Sequence, residues 1–187
     1  MLIAFSALGQ KASLTLRATV APVAVKHLYP MHSLIKIYTD GASRGNPGPG
    51  GYGTILTYQG HCKELTEGFR LTTNNRMELL AAIVGLEALK RNKQQVIIYS
   101  DSKYVVDAVT KGWLAAWLKK DFKGKKNADL WKRFWRVAQR HQVTLHWIKG
   151  HAGHPENERC DQLATQSAQQ KAHAVDQGYL NSVKANR

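Results

Sequence analysis

Acidic residues are scarce in this sequence. Only 13 of its 187 residues are Asp or Glu, whereas 27 are Lys or Arg, which gives a formal net charge of +14 at pH 7. This excess favours a polyanionic partner, either a nucleic acid or an anionic membrane surface, although a basic tail without a specific role would give the same total. Because carboxylates repel phosphate groups unless a cation lies between them, the positions of the few acids are informative.

Cysteines are few and long apolar runs are absent. With only Cys62 and Cys160, the chain has no disulfide framework, and we expect two free thiols in a reducing, cytoplasmic environment. No stretch approaches the roughly 20 apolar residues that a membrane-spanning helix requires. We therefore expect no membrane partner. The hydrophobic fraction of 43% is that of a globular chain with a buried core.

Residues 1–30 differ in composition from the rest of the chain, because they contain no acidic residue. An acid-free segment rich in Ser, Thr and Ala is typical of an organelle transit peptide. A disordered extension, or a true start at Met31 directly before the first strand, is the favoured interpretation. The predicted organisation is an extension over 1–30, one folded domain over 31–172 and a flexible tail over 173–187.

From Ser33 onwards the hydrophobic pattern alternates between strand and helix periods. It predicts strands over 34–39, 52–58, 62–70, 95–100 and 143–148, and helices over 73–91, 102–110, 113–119, 128–140 and 155–171. This order is typical of a mixed α/β sheet with helices packed on it. Ligands bind such sheets at the carboxyl ends of the strands.

Two acids directly follow predicted strands, Asp40 after the first and Asp101 after the fourth. Glu78 lies on the first turns of the long helix and shares a face with Ala82 and Gly85, whose small size would let the helix approach the sheet closely. Asp161 on the last helix could close the cluster. Clustered carboxylates raise each other's pKa unless divalent cations bind, and all-oxygen ligation suits Mg²⁺ or Mn²⁺. Each acid alone is more often a turn or helix cap, but together, in so basic a chain, they favour metal chemistry.

Five blocks of sequence strongly resemble bacterial type 1 ribonuclease H, in the order and approximate spacing of that family, over about residues 33–170. The blocks are Tyr38–Gly41, Gly45–Gly53, Thr73–Leu79, Ser100–Val105 and Lys149–Asp161. The resemblance implies the α/β ribonuclease H-like fold, with a five-stranded mixed sheet whose first three strands are antiparallel and with helices on both faces. The folded domain over 31–172 would then be the catalytic domain, and we expect it to be a monomer.

The same resemblance implies a function. It predicts an endonuclease that hydrolyses the RNA strand of RNA–DNA hybrids by two-metal-ion catalysis, with 3′-hydroxyl and 5′-phosphate ends and with Mg²⁺, for which Mn²⁺ can substitute. The family's four metal-binding acids fall on Asp40, Glu78, Asp101 and Asp161. Its mobile-loop histidine falls on His151, to which we assign proton transfer near the leaving oxygen and help with product release.

The resemblance also implies how the substrate is held. Asn46, Asn74 and Asn75 would line the minor groove, where amide groups suit the 2′-hydroxyl that distinguishes RNA. These asparagines could instead serve only turns and helix caps. By the family pattern, Thr73 and Asn127 would grip a phosphate of the DNA strand.

A basic region with two nearby tryptophans completes the predicted substrate surface. Residues 119–140 carry a local net charge of +7, half of the chain's total. Basic residues beside aromatic rings suit a groove that follows a sugar–phosphate backbone. The substrate-binding candidates here are Trp113, Trp117, Lys123, Lys125 and Lys126, whereas Trp131 and Trp135 are expected mostly in the core.

The sequence departs from the family pattern at two places. The loop over 121–127 is short, and Leu71 stands where the family often has an arginine that grips a DNA phosphate. Both departures predict weaker hybrid binding. Two other hypotheses stay open: a nucleic-acid-binding module whose acids are structural, and an integrase-like nuclease on the same fold.

Overall fold

The computed structural model describes residues 34–170 and 174–185, so the predicted extension over 1–30 lies outside the described residues. The described part of the chain forms five strands and six helices. The strands are β1 (Ile35–Ser43), β2 (Gly48–Tyr58), β3 (His61–Thr72), β4 (Gln95–Ser100) and β5 (Gln142–Trp147). The helices are α1 (Asn74–Glu87), α2 (Lys103–Thr110), α3 (Trp113–Leu118), α4 (Ala128–Ala138), α5 (Pro155–Ala168) and α6 (Gln177–Ala185).

The strands form one mixed sheet in the order β3-β2-β1-β4-β5. β1, β2 and β3 are antiparallel neighbours, and β4 and β5 join in parallel. A tight turn joins β2 to β3, where Gln59 and Gly60 have φ of 50° and 79°. Two successive left-handed residues match the twist of antiparallel strands. The five-stranded mixed sheet expected from the sequence is thereby confirmed.

β1 is longer than predicted, so Asp40 lies inside the strand rather than directly after it. The parallel pairing of β1 with β4 ends at Thr39 and Ser100, but the antiparallel pairing with the glycine-rich start of β2 continues to Ser43. Asp40 and Asp101 are therefore each the first residue beyond the parallel pairing. Both acids therefore still lie at the same edge of the sheet, as predicted.

Helices cover both faces of the sheet, as predicted. Ile37 of β1 belongs to the large core that includes α1, α2 and α4, whereas its neighbour Tyr38 packs with Ile55, Cys160 and Leu163 under α5. Successive strand residues point to opposite faces, which explains the two cores. Within the described ranges, no helix combines the length and apolar character needed to cross a bilayer.

The structure differs from the expected flexible tail over residues 174–185. Ala174 pairs with Phe69 at the edge of β3, and α6 follows. The physical reason is Arg76, a guanidinium only 2% exposed, which needs carboxylates around it to offset its buried charge. Asp176 and Asp129 supply them, each at 2.7 Å from a guanidinium nitrogen. Hydrophobic periodicity in the sequence carries no signal for such an ionic anchor.

Candidate active site

Three of the four predicted acids converge at one edge of the sheet. Asp40 comes from β1, Glu78 from the first turns of α1 and Asp101 from the residue after β4, and one carboxylate oxygen of each lies within 4.8 Å of the others. Asp40 and Glu78 are each 7% exposed. Asp161 on α5 is outside this group, but its charge still raises the pKa of Asp40.

The Asp40 carboxyl has a strongly perturbed affinity for protons. Burial, followed by the negative charge of Asp101, raises its pKa from 3.8 to about 7. A hydrogen bond of 2.7 Å, donated by the Gly41 backbone amide to Asp40 Oδ1, acts in the opposite direction. The repulsion exceeds what this one donor offsets, so the cluster lacks positive charge.

Glu78 shows the same deficit. Burial and then the charges of Asp40 and Asp101 raise its pKa well above the usual value. Its Oε1 accepts a hydrogen bond of 3.3 Å from Asn74 Nδ2, whereas its buried Oε2 has no partner among the described residues. An orphaned carboxylate oxygen beside two further carboxylates is the donor set that a hard divalent cation prefers. The three acids therefore fit a divalent metal ion.

Asp101 is held by groups that the sequence analysis missed. Trp147 donates its indole N–H to the Asp101 carbonyl oxygen at 2.9 Å, and Asn157 Nδ2 lies 3.4 Å from Asp101 Oδ2. Asn157 is 2% exposed and its Oδ1 has no described partner. A signal existed, since Asn157 precedes Asp161 by four residues and so shares its helix face.

Two of the predicted asparagines support the helix that carries Glu78. Thr73 is the N-cap residue of α1, but its side chain makes no capping hydrogen bond. Asn46 Oδ1 instead accepts a hydrogen bond of 3.3 Å from the Asn74 backbone amide. Asn46 thus caps α1 from outside the helix, and Asn74 reaches Glu78.

Six predicted substrate-binding residues line one open groove of about 940 Å³ beside the acids' helix. They are Asn46, Thr73, Asn75, Lys125, Lys126 and Asn127. The other four, Asn74, Trp113, Trp117 and Lys123, do not line it. Trp113 is 44% exposed with Lys111 Nζ 5.4 Å from its ring centre, and Trp117 packs edge-on against the buried Trp131. Lys125 Nζ lies 5.4 Å from the Trp117 ring centre. The surface formed by Trp113 and Trp117, here called the tryptophan surface, is therefore next to the groove.

His151 occupies the loop between β5 and α5. It is exposed, has a φ of 51° and has no hydrogen-bond partner among the described residues. A hydrogen bond of 3.1 Å from the Gly153 backbone amide to Glu158 Oε1 ties the far side of this loop to α5. The structure does not bring His151 into contact with the three converging acids.

Comparison with known proteins decides the family. The model of the RNase H family matches residues 32–169. The chain belongs to the RNase H family. A ribonuclease H from Shewanella sp. (strain ANA-3) is 56% identical over 151 residues, which cover 78% of this chain and 94% of that protein. One from Desulforamulus reducens is 57% identical over 147 residues, covering 76% and 92%.

Solved structures of the RNase H family agree with the fold. LC9-RNase H1, a type 1 RNase H with the type 2 active-site motif, aligns with a TM-score of 0.66 at 32% identity, covering 81% of each chain. LC11-RNase H1, solved in complex with an RNA/DNA hybrid, aligns with a TM-score of 0.55 at 26% identity, covering 72% of this chain and 96% of that one. The predicted family and fold are confirmed.

Leu71 is a surface residue of this RNase H family member. It is 40% exposed at the end of β3, next to Thr72, whose hydroxyl donates to Asp176 at 2.7 Å. Leu71 does not line the groove that contains Thr73 and Asn127. An apolar side chain offers no hydrogen bond to a phosphate, so the predicted departure from the family's phosphate grip remains a prediction.

Proposed function

We propose that this chain is an endoribonuclease that hydrolyses the RNA strand of RNA–DNA hybrids and leaves 3′-hydroxyl and 5′-phosphate ends. The observation that carries the proposal is the convergence of Asp40, Glu78 and Asp101 within a member of the RNase H family. Relatives at 53–57% identity are named ribonuclease H or HI. A buried cluster of carboxylates destabilises the folded state unless cations neutralise it, so its presence in a chain of net charge +14 supports metal binding.

We assign the cluster to Mg²⁺, for which Mn²⁺ would substitute, with two ions in the substrate complex. Asp40, Glu78 and Asp101 would hold the ions together with Asp161, whose charge already acts on Asp40. When bound, such ions activate a water molecule and stabilise the leaving oxygen in an in-line phosphoryl displacement. Asn157 and Trp147 would keep Asp101 in place through their hydrogen bonds to its carboxylate and carbonyl oxygens.

His151 would act from the loop rather than from the acidic cluster. Histidine is the side chain most often used for general acid–base catalysis, and this imidazole is exposed, so we assign it proton transfer near the leaving oxygen and assistance in product release. The left-handed backbone at His151 and the exposed loop around it are consistent with a side chain that reaches the substrate only when it is bound.

Recognition of the hybrid is assigned to the groove and the neighbouring tryptophan surface. Asn46, Asn74 and Asn75 would contact the 2′-hydroxyls of the RNA strand, and Asn74 does so beside Glu78. The groove and the tryptophan surface would follow the DNA strand with Thr73, Trp113, Trp117, Lys123, Lys125, Lys126 and Asn127. A relative was solved in complex with an RNA/DNA hybrid, which supports this substrate class.

We place the enzyme in the cytoplasm as a monomer. Both cysteines are free, Cys62 exposed and Cys160 buried, which suits a reducing compartment. Burial raises the pKa of the Cys160 thiol far above its usual value, so it stays protonated and inert.

One experiment tests the proposed function. Labelled RNA–DNA, RNA–RNA and DNA–DNA duplexes are incubated with the protein in Mg²⁺ and, separately, in chelator. We expect cleavage of the RNA strand of the hybrid only, and only with metal. Asp40→Asn should abolish cleavage yet bind the hybrid at least as well, because one negative charge near phosphate disappears.

The matched control is Asp107→Asn, the same substitution at a residue paired with Lys111 on α2. It should cleave like the unaltered protein. Hybrid binding without cleavage by the unaltered protein would favour the binding-module hypothesis. Cleavage of DNA–DNA duplexes would favour an integrase-like nuclease, and full activity of Asp40→Asn would overturn the metal assignment.

A further inference from the structure

Helix α6 forms one wall of the groove, and the proposed function assigns no role to this helix. Its residues Tyr179, Asn181 and Ser182 face the same space as Thr73 and Lys126. We propose that α6 is part of the nucleic-acid-binding surface, where the Tyr179 hydroxyl and the Asn181 amide donate hydrogen bonds to phosphate oxygens of the bound strand. This inference rests on the proposed function, since it names further residues that hold the same substrate.

The first turn of α6 is fixed rigidly to the rest of the fold. Asp176 Oδ1 accepts a hydrogen bond of 3.0 Å from the Tyr179 backbone amide and so caps the helix. The same carboxylate accepts hydrogen bonds of 2.7 Å from Arg76 Nε and from the Thr72 hydroxyl through its Oδ2. Because Arg76 and Asp176 are buried, this anchor holds α6 in one orientation.

Gly178 lets α6 lie directly against this ionic cluster. A Cβ atom at position 178 would overlap Asp129 Oδ2 and lie 2.6 Å from Arg76 Nη2. Asp129 belongs to the first turn of α4, which directly follows the loop over 121–127 with its lysines, here called the basic loop. The close approach therefore brings α6 beside that loop. Tyr179, the next residue, is thereby placed at the groove.

The charge of the groove suits a phosphate chain. Lys125 and Lys126 contribute positive charge, and Asp129 is the only acid among the lining residues of the groove described here. Its carboxylate accepts two hydrogen bonds from Arg76, at 2.7 and 2.9 Å, which outweigh the effect of burial and lower its pKa. Because Arg76 also pairs with Asp176, it offsets only part of the negative charge of the two acids. After Asp176 the sequence has no further acid. α6 therefore brings no negative charge to the groove.

The hydrogen bonds inside α6 identify which groups remain as donors. The Ser182 hydroxyl donates to the Tyr179 carbonyl oxygen at 2.7 Å, so its proton is already used. Asn181 Oδ1 accepts from Gln177 Nε2 at 2.8 Å, which leaves the Asn181 amide NH₂ group to donate. The Tyr179 hydroxyl, half-buried at the groove, has no hydrogen-bond partner among the described residues. These two groups are neutral donors next to lysines, a combination that positions a phosphate backbone.

Binding of a labelled hybrid by the inactive Asp40→Asn protein, measured by fluorescence anisotropy over a salt series, tests the proposal. Adding Tyr179→Phe and Asn181→Ala together should raise Kd about tenfold, the usual cost of losing hydrogen bonds to a charged group. The slope of log Kd against log salt should not change, because neutral donors displace no counterions. Tyr179→Phe alone, which keeps the ring and its packing, should raise Kd about threefold.

The matched control is Lys184→Gln, an exposed residue of α6 that does not line the groove. It should bind like its parent. If Lys184→Gln weakens binding and lowers the salt slope while the double variant binds normally, the opposite face of α6 meets the nucleic acid and the proposal is wrong. If the Kd is unchanged in every α6 variant while the protein with Asp40 intact still binds and cleaves hybrids, this inference alone is overturned. If the protein with Asp40 intact fails to cleave hybrids, the proposed function is overturned instead.

A substrate modification identifies the contacted atoms. Hybrids are made with one uncharged methylphosphonate linkage at a time, in either strand. At the contacted phosphate, the weakening of binding caused by Tyr179→Phe should disappear, because the modified linkage is a poor acceptor. A weakening that persists at every position in both strands would contradict the assignment of Tyr179 to a phosphate.

Discussion

Gly41 lies so close to Glu78 that a Cβ atom on Gly41 would overlap the Glu78 backbone nitrogen and lie 2.8 Å from its Cα. The backbones of β1 and α1 are therefore in direct contact at the residue next to Asp40. Main-chain atoms of packed elements cannot move aside as the end of a flexible side chain can. The spacing between the Asp40 and Glu78 carboxylates consequently depends on the missing side chain at position 41.

Gly41→Ala should therefore damage the acidic cluster without removing any acid. Pushing α1 away by about 1 Å is expected to lower kcat/KM for hybrid cleavage about 100-fold, since misplacement on that scale has this cost. Overpacking should also lower the free energy of unfolding by about 1–3 kcal/mol. Initial cleavage rates and urea unfolding measure the two effects.

The control for Gly41→Ala is Gly60→Ala in the hairpin turn. A Cβ there meets nothing within 4 Å, but its φ of 79° is unfavourable for alanine. We expect a loss of stability of about 1–2 kcal/mol with normal activity. Normal activity in Gly41→Ala would show that the close approach does not set the geometry of the acids.

The sequence predicted correctly that Asp101 directly follows a strand. For Asp40 it predicted the meeting with Asp101 correctly but the end of the strand wrongly. β4 is a short run of β-branched and aromatic residues that ends where the pattern ends, at Ser100. β1 continues past Asp40 because β2 offers it an antiparallel partner as far as Gly50. Pairing between strands is a long-range contact, and hydrophobic periodicity within one strand does not report it.

Residues that act across elements escaped the sequence analysis. Asn157 supports Asp101 from a helix 56 residues further along, and Gly41 acts on Glu78 from a different element. Phe122 was hidden in a lysine-rich loop, yet it is 3% exposed and anchors that loop in the core. Such roles depend on which elements pack together, which follows from the fold rather than from local pattern.

The stability of the metal-free protein should fall as pH rises from about 4 to about 7. The folded protein raises the pKa of Asp40 to about 7, whereas the unfolded chain has the usual pKa of about 3.9. In that window the folded state binds more protons than the unfolded state, so each increase in pH favours unfolding. Thermal unfolding in chelator across this pH range measures the effect. Mg²⁺ should reduce it by supplying the missing positive charge.

Asp40→Asn should remove much of this dependence. In chelator at pH 8 its Tm should exceed that of the unaltered protein by a few degrees, because about 1 kcal/mol corresponds to about 2–4 °C in a domain of this size. Near pH 4 the two Tm values should converge. Asp107→Asn, outside the cluster, should keep the original pH profile. A profile for Asp40→Asn identical to that of the unaltered protein would refute the repulsion argument.

His151→Ala should slow the enzyme without abolishing cleavage. General acid–base assistance is worth about 10²-fold or more, so we expect a fall in kcat of about 10²-fold with hybrid binding unchanged. The exposed loop, whose histidine has no partner among the described residues, explains why the acidic cluster stays intact. His154→Ala, an exposed histidine at the start of α5 whose side chain makes no capping bond, is the matched control and should be fully active. Loss as complete as in Asp40→Asn would assign His151 a role inside the metal site.

Neutralising the basic loop should weaken hybrid binding in a salt-dependent way. Lys123, Lys125 and Lys126 are exposed, so replacing all three with Gln removes charge with little effect on packing. For each phosphate that these lysines no longer neutralise, the slope of log K against log salt should fall by about 0.9. Anisotropy titrations of a labelled hybrid at several salt concentrations measure this slope.

The comparison variant removes the same charge at the opposite end of the sheet. Lys90, Arg91 and Lys93 are exposed between the end of α1 and the start of β4, whereas the acids lie at the start of α1 and beyond the end of β4. Replacing these three with Gln should leave the slope nearly unchanged, because charges farther away than the Debye length of about 10 Å are screened. Equal changes in slope for the two triple variants would mean that net charge, and not this loop, attracts the hybrid.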